Sequence, residues 1–250
     1  MKRAPVVNGV FLECCAGSCR LAQATASSGI PSESYEILRD KREDICSNAF
    51  LKSSKSRIAN MCVCGVWLGI TCASFTLARR GNPDYSGWPP PLRSNDPEGI
   101  YGLPNLNIKD QERVKLGNRL AIRAALIIRL CRDANIPVFL ENPASSRLWI
   151  FPPILRLLSS ASQLENFHQC QYDSPYKKQT KIAMWNFVSS QLARKCTGSQ
   201  TLCSSSQKPH VVLSGTDPAT GEFRTSQASA YPWDFAKLFA SELTRHVLEQ

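Results

Sequence analysis

A thiol and a carboxyl stand at matching places in this chain, each at the end of a short apolar run. Cys72 lies in Gly69-Ile70-Thr71-Cys72-Ala73-Ser74-Phe75-Thr76, after the run 63–70, and Glu141 lies in Phe139-Leu140-Glu141-Asn142-Pro143, after the run 136–140. Both runs have the length and composition of strands buried on both faces. In a parallel sheet the carboxyl ends of neighbouring strands open onto one crevice, so a nucleophile and an acid would meet there. A cysteine alone is more often a small buried hydrophobe. Here a helix beginning near Ser74 to Thr76, together with Arg79-Arg80, would favour the thiolate; the alternative for the two arginines is a solvated helix face. A carboxyl at an apolar strand end keeps part of its proton and can donate it to a ring nitrogen, whereas a structural cap or a pairing with Arg147 would make Glu141 structural.

Two further groups carry chemistry. Glu13-Cys14-Cys15-Ala16-Gly17-Ser18 follows the strand-like run 9–13, at a first strand-to-helix turn. Small residues and helix amides at such a turn suit close approach of a nucleoside cofactor, although any strand–helix unit needs a glycine turn. Asp40, at the end of an expected second strand over 34–38, is placed for ribose hydroxyls, or else is a plain turn aspartate. Cys196, Cys203 and His210 follow one another with six residues between them in a polar, Ser-rich stretch. With Cys170 they would make four ligands for a tetrahedral zinc, against the alternative of unrelated cysteines in a loop.

The elements that must position these groups alternate. Strand 9–13, helix 19–28, strand 34–38, helix 44–59 and strand 63–70 imply an α/β fold with a doubly wound, mostly parallel sheet. Residues 81–104 are rich in Pro, Gly, Asn and Asp, including Trp88-Pro89-Pro90-Pro91, and read as a long loop of the lid or binding kind. A helix over 111–132 leads to strand 136–140. Beyond Pro153 the alternation weakens: 167–172 and 181–187 read as antiparallel strands, 210–213 as a short strand, and 233–248 as a closing amphipathic helix. The expected organisation is a core over 1–160, a small insertion over 161–209, and a return strand and helix over 210–250.

The totals narrow the partners. Thirty Lys and Arg against twenty Asp and Glu leave a net charge of +10, an attractive field for polyanions. Nucleic acid is the natural partner and an anionic membrane surface a weaker one. With 43% hydrophobic and 20% charged residues the composition is that of a globular domain. Eleven cysteines without an apolar leader after Met1-Lys2-Arg3-Ala4-Pro5 point to an intracellular, reducing compartment, the nucleus included, rather than secretion. No apolar stretch is long and uncharged enough to span a bilayer.

Taken in order, Phe11-Leu12-Glu13-Cys14-Cys15-Ala16-Gly17-Ser18, the Cys-x-x-Phe-Thr core around Cys72, and Leu140-Glu141-Asn142 resemble the cofactor, catalytic-cysteine and Glu-Asn motifs of the cytosine-5 DNA methyltransferases. Residues 228–240, with Tyr231-Pro232, are similar to that family's last motif, which returns to pack beside the first. The resemblance implies a Rossmann-like methyltransferase core over roughly 9–145 and 210–248, S-adenosylmethionine as methyl donor, and a flipped cytosine as acceptor, in DNA ahead of RNA. It implies that Cys72 adds to carbon 6 of the ring while Glu141 engages the ring nitrogen and amine. Glu13, Ala16 and Gly17 would cradle the methionine part, Asp40 the ribose, and Asp44 or Ile45 the adenine edge. Thr71, Ala73 and Pro143 depart from the family's usual proline, glutamine and valine. Tyr176-Lys177-Lys178-Gln179-Thr180-Lys181 is the nearest counterpart of its Gln-x-Arg-x-Arg motif, and the segment from there to the last motif is shorter than a usual target-recognition domain. A binding module that keeps the fold without turnover is the alternative from another class.

Overall fold

The computed structural model describes residues 8–79, 89–199, 201–215, 217, 219–221 and 224–249. Arg80 and the first part of the expected 81–104 loop, through Trp88, lie outside the described residues. Six strands, β1 (Val10–Cys14), β2 (Ser32–Tyr35), β3 (Val63–Leu68), β4 (Val138–Pro143), β5 (Gln163–His168) and β6 (Gln179–Trp185), form one sheet in the order β2-β1-β3-β4-β6-β5. β1 pairs in parallel with β2 and β3, and β3 with β4; β6 runs antiparallel to both β4 and β5. The sheet is therefore mixed but mostly parallel, and compatible with a Rossmann-like fold.

Helices cover both faces, which is why the central strands read as unbroken apolar runs: every residue of β1 and β3 is buried. Alternate side chains go to opposite sides. Val10, Leu12, Val66, Leu68, Val138 and Leu140 pack with α2 (Asn48–Ala59), α3 (Ile108–Asp133) and α4 (Pro152–Leu158). Phe11, Trp67 and Phe139 pack instead with α1 (Arg20–Ser27) and with α6 (Trp233–Leu248), which follows the short α5 (Arg224–Gln227). On that second face Trp67 and Phe139 each stand 4.9 Å from the Phe239 ring, edge to face, contacts worth about 0.5–1.5 kcal/mol apiece beyond their buried area. Local chemistry sets the helix starts. The Ser47 hydroxyl accepts from the Phe50 amide ahead of α2, and the Asn107 side chain accepts from the Asp110 amide ahead of α3.

Several sequence expectations shift. The second strand ends at Tyr35 rather than Leu38, because this edge strand is only half-buried and its apolar signal is faint. Residues 41–43 form a short 3-10 turn, so the following helix begins at Asn48 instead of residue 44. No helix starts at Ser74 to Thr76; the Cys72 carbonyl accepts from the Phe75 and Thr76 amides in an isolated turn. β5 and β6 join the main sheet, and the strand expected over 167–172 instead runs over Gln163–His168, with residues 169–172 leaving it as a 3-10 turn. No return strand forms over 210–213; Leu202 and Pro209 make a single β-bridge there. Among the described residues, no helix is long and apolar enough to cross a membrane.

Candidate functional site

The chain order reverses between β1 and β3: β2 lies on one side of β1, while β3 and β4 lie on the other. At such a switch point the loops leaving the strands diverge and open a crevice at the carboxyl ends. A cavity of about 490 Å³ lies there, walled by segments following β1, β2 and β3 and by the end of β4. Its wall includes Ala16 and Gly17, Glu36, Asp44, Cys72 and Glu141, joined by Lys178 and Tyr231 from far along the chain.

The turn after β1 is built from left-handed backbone. Cys15, Gly17 and Cys19 all have positive φ, and at Gly17 (φ +51°) a side chain would project into open space. The Gly17 amide donates to Glu36 Oε2 at 2.9 Å. Glu13 stands behind this turn instead of on the cavity wall. It is fully buried, its Oε2 accepts from the Ala22 amide at 2.7 Å, and its Oε1 has no partner. Burial pushes its carboxyl up to about 7, against the pull of the Ala22 and Leu21 amides and of Arg39.

Cys72 and Glu141 share this cavity. The Glu141 carboxyl is buried; Oε2 accepts the Tyr231 hydroxyl at 2.9 Å, and Oε1 has no partner. Tyr231 in turn accepts from Trp67 Nε1 at 3.0 Å, which holds the phenol between sheet and acid. Asn142 donates to the Ile70 carbonyl at 2.7 Å and so ties the end of β4 to the strand exit that delivers Cys72. Burial raises the Glu141 carboxyl above the ordinary range, while Lys178 and the Tyr231 hydrogen bond pull it back. The Cys72 thiol is also raised by burial, with Lys178 lowering it and Glu141 raising it further. A carboxyl raised by burial and a thiol raised by burial therefore face one space, with Lys178 lowering both. Helix amides and Arg79 do not fill that role. Arg79 donates to the Pro90 carbonyl and to both oxygens of Asp110. Arg147 donates to Asn95 and leaves Glu141 to Tyr231.

Asp40 lies outside the cavity wall. Its side chain accepts from the Arg42 amide and pairs with the Arg42 guanidinium at 2.6 Å, capping the 41–43 turn. The acid directly after β2 is Glu36, which the strand expected over 34–38 hides within its own length. Asp44 and Ile45 do line the cavity; Asp44 accepts from the Cys46 amide at 2.8 Å. Arg93 is a second residue the sequence did not announce. Fully buried, it lies 3.8 Å from the Phe75 ring and donates to the Ser74 carbonyl and hydroxyl, the Ile100 and Val114 carbonyls, and Asn118. It ties the turn after Cys72 to α3 and to the described part of the proline-rich loop. The one faint sequence signal is a lone arginine beside Leu92.

The structure also gathers the second set. The side-chain ligand atoms of Cys170, Cys196, Cys203 and His210 all lie within 4.8 Å of one another, and the three thiols are buried and unbridged. This Cys3His cluster has the donor set of a metal site. α6 meanwhile packs against α1: Arg20 donates to the Tyr231 carbonyl at 2.6 Å and lies 5.3 Å from the Trp233 ring. Comparison with protein-family models and with curated proteins returned no match to this chain.

Proposed function

We propose that the chain is an S-adenosylmethionine-dependent methyltransferase acting on carbon 5 of cytosine in nucleic acid, DNA ahead of RNA. The observation that carries this reading is the meeting of Cys72 and Glu141, with an unpartnered Glu141 oxygen, in one cavity at the switch point of the sheet. The cavity fits the donor: its volume is within the usual range for small-molecule sites, and Gly17 leaves the backbone open to close approach. Gly17 and Ala16 would hold the methionine part, Glu36 the ribose hydroxyls in place of Asp40, and Asp44 with Ile45 the adenine edge; Glu13 supports the turn from behind. When bound, S-adenosylmethionine supplies an electrophilic methyl group on a sulfonium.

Cys72 forms the bond to carbon 6 of a flipped cytosine, and Glu141 delivers its proton to the ring nitrogen, so that electron density gathers at carbon 5. Lys178 favours the thiolate electrostatically. Tyr231 and Trp67 fix the acid, and Arg93 holds the turn that presents the thiol. Once carbon 5 carries the methyl group, the ring nitrogen returns its proton to Glu141, a water molecule takes the carbon 5 proton, and the Cys72 thiolate leaves carbon 6, so that both side chains are regenerated. The Cys3His cluster supports a structural zinc ion as a second resident group.

Full-length protein incubated with S-adenosylmethionine and duplex oligonucleotides containing 5-fluorocytosine should form an adduct that survives denaturation. Cys72→Ser should abolish it, and Glu141→Gln should slow its formation by about 100-fold or more. The raised Cys72 thiol favours one other reading, a nucleic-acid-binding module without turnover. Binding without adduct on duplex DNA, single-stranded DNA or RNA would select that module and sink the enzyme; adduct on RNA alone would move the acceptor.

A further inference from the structure

Residues 196–213 have little apolar packing to hold them: among those described only Cys196 and Cys203 are buried, the regular pairing is the single Leu202–Pro209 bridge, and the buried Cys170 lies against this stretch. Cys170, Cys196 and Cys203 form a buried cluster of their own, apart from the aliphatic and aromatic clusters on the two faces of the sheet. Three small thiols bury too little area to fasten so irregular a segment. A tetrahedral zinc with sulfur at about 2.3 Å places its ligand atoms roughly 3.7 Å apart. Cys196 Sγ and His210 Nε2 are already 3.7 Å apart, and the whole set falls within 4.8 Å.

The surroundings suit bound thiolates. The Ser204 amide and hydroxyl donate to Cys196 Sγ at 3.4 and 3.5 Å, and Gln171 Nε2 donates toward Cys203 Sγ and Cys170 Sγ at 3.6 and 3.8 Å. Gly198 makes the bend between Cys196 and Cys203 possible, since a side chain there would collide with the backbone of Leu202 and Ser204.

Each ligand-bearing stretch also grips residues 173–178. Cys170 lies in the Gln169–Tyr172 turn that leads into this loop, and the Gln169 amide closes its base on the Lys178 carbonyl at 3.1 Å. The Val211 amide, next to His210, donates to the Pro175 carbonyl at 2.9 Å. Lys177 Nζ donates to the Gly198 carbonyl at 3.0 Å. The loop ends at Lys178, whose ammonium reaches the Ala228 carbonyl at 3.0 Å and lines the cavity with Cys72.

We infer that Cys170, Cys196, Cys203 and His210 bind one zinc ion whose task is to clamp the 173–178 loop and so keep Lys178 in the cavity. The task assigned to Lys178 rests on the methyltransferase reading; the metal and the clamp do not, and the test uses no substrate or cofactor. Full-length protein, purified and dialysed against micromolar zinc and then against metal-free buffer, should retain one zinc per chain by mass spectrometry of the elements. His210→Ala and Cys203→Ser should lose it. His210→Cys, which restores four ligands, should keep it, as should Cys62→Ser at an exposed thiol. Stripping the metal with a chelator should raise amide exchange at least tenfold over 173–178 and 196–211 and leave β1 and β3 unchanged. No retained zinc, or zinc kept equally by His210→Ala, would overturn the site. Zinc lost without faster exchange over 173–178 would overturn the clamp. If Cys203→Ser fails to fold, the His210→Ala and His210→Cys pair decides.

Discussion

Glu13 shows what a buried carboxyl costs when only one of its oxygens is satisfied. Its carboxyl is raised from 4.5 to about 7, so between those values the folded state binds a proton that the unfolded chain has released. The contribution is therefore fully present below about pH 4.5 and is lost as pH rises through 7, by an amount on the order of 3 kcal/mol. Urea denaturation should show Glu13→Gln gaining on the wild type from pH 5 to pH 8 and levelling off above that; a parallel pH dependence in the two proteins would refute the assignment. Single residues were legible in the sequence where the neighbouring run identified a strand end, as for Cys72 and Glu141. Glu36 was not, because the choice between it and Asp40 depends on where a half-buried edge strand stops, and three residues of local pattern do not settle that. The Cys196, Cys203 and His210 set was legible because thiols and an imidazole recurring at even spacing in a polar stretch form an uncommon pattern, and the fold brings them together with Cys170. Arg93 left only a faint trace, since most of its partners are backbone carbonyls that any residue could supply.

The turn after Cys72 owes its shape to Arg93 and α3 more than to its own sequence. Arg93→Ala would leave the Ser74 and Ile100 carbonyls and the Asn118 side-chain oxygen short of a donor inside the protein, and should cost about 3 kcal/mol or more. Arg93→Lys keeps the charge but not the planar fork and should recover only part of this. Thermal denaturation of both variants checks the order wild type, Lys, Ala. The central strands were legible because burial on both faces writes an unbroken apolar run, and α6 was legible through its amphipathic period. The expected strand over 167–172 meets β5 only at residues 167 and 168, whereas 181–187 falls largely on β6; nothing in a strand's own residues names its neighbours, and β6 joins the sheet by pairing Val138 with Trp185 and onward to Pro143 with Thr180.

The molecule as a whole carries a charge of +10, and this governs how it would meet a polyanion. Affinity for a duplex oligonucleotide should fall roughly 10- to 150-fold between about 50 and 200 mM salt, the loss expected for about two to four phosphate contacts. Fluorescence anisotropy across that range is the measurement, and a flat response would remove nucleic acid as an electrostatic partner. The cavity is assembled from both ends of the chain: Ala16 and Gly17 follow the first strand, whereas Tyr231, which holds Glu141, comes just before the last helix. As the chain emerges from the ribosome, Cys72 and Glu141 are both made well before the phenol that holds the acid, so the cavity wall closes only once residues 229–231 have been added and packed.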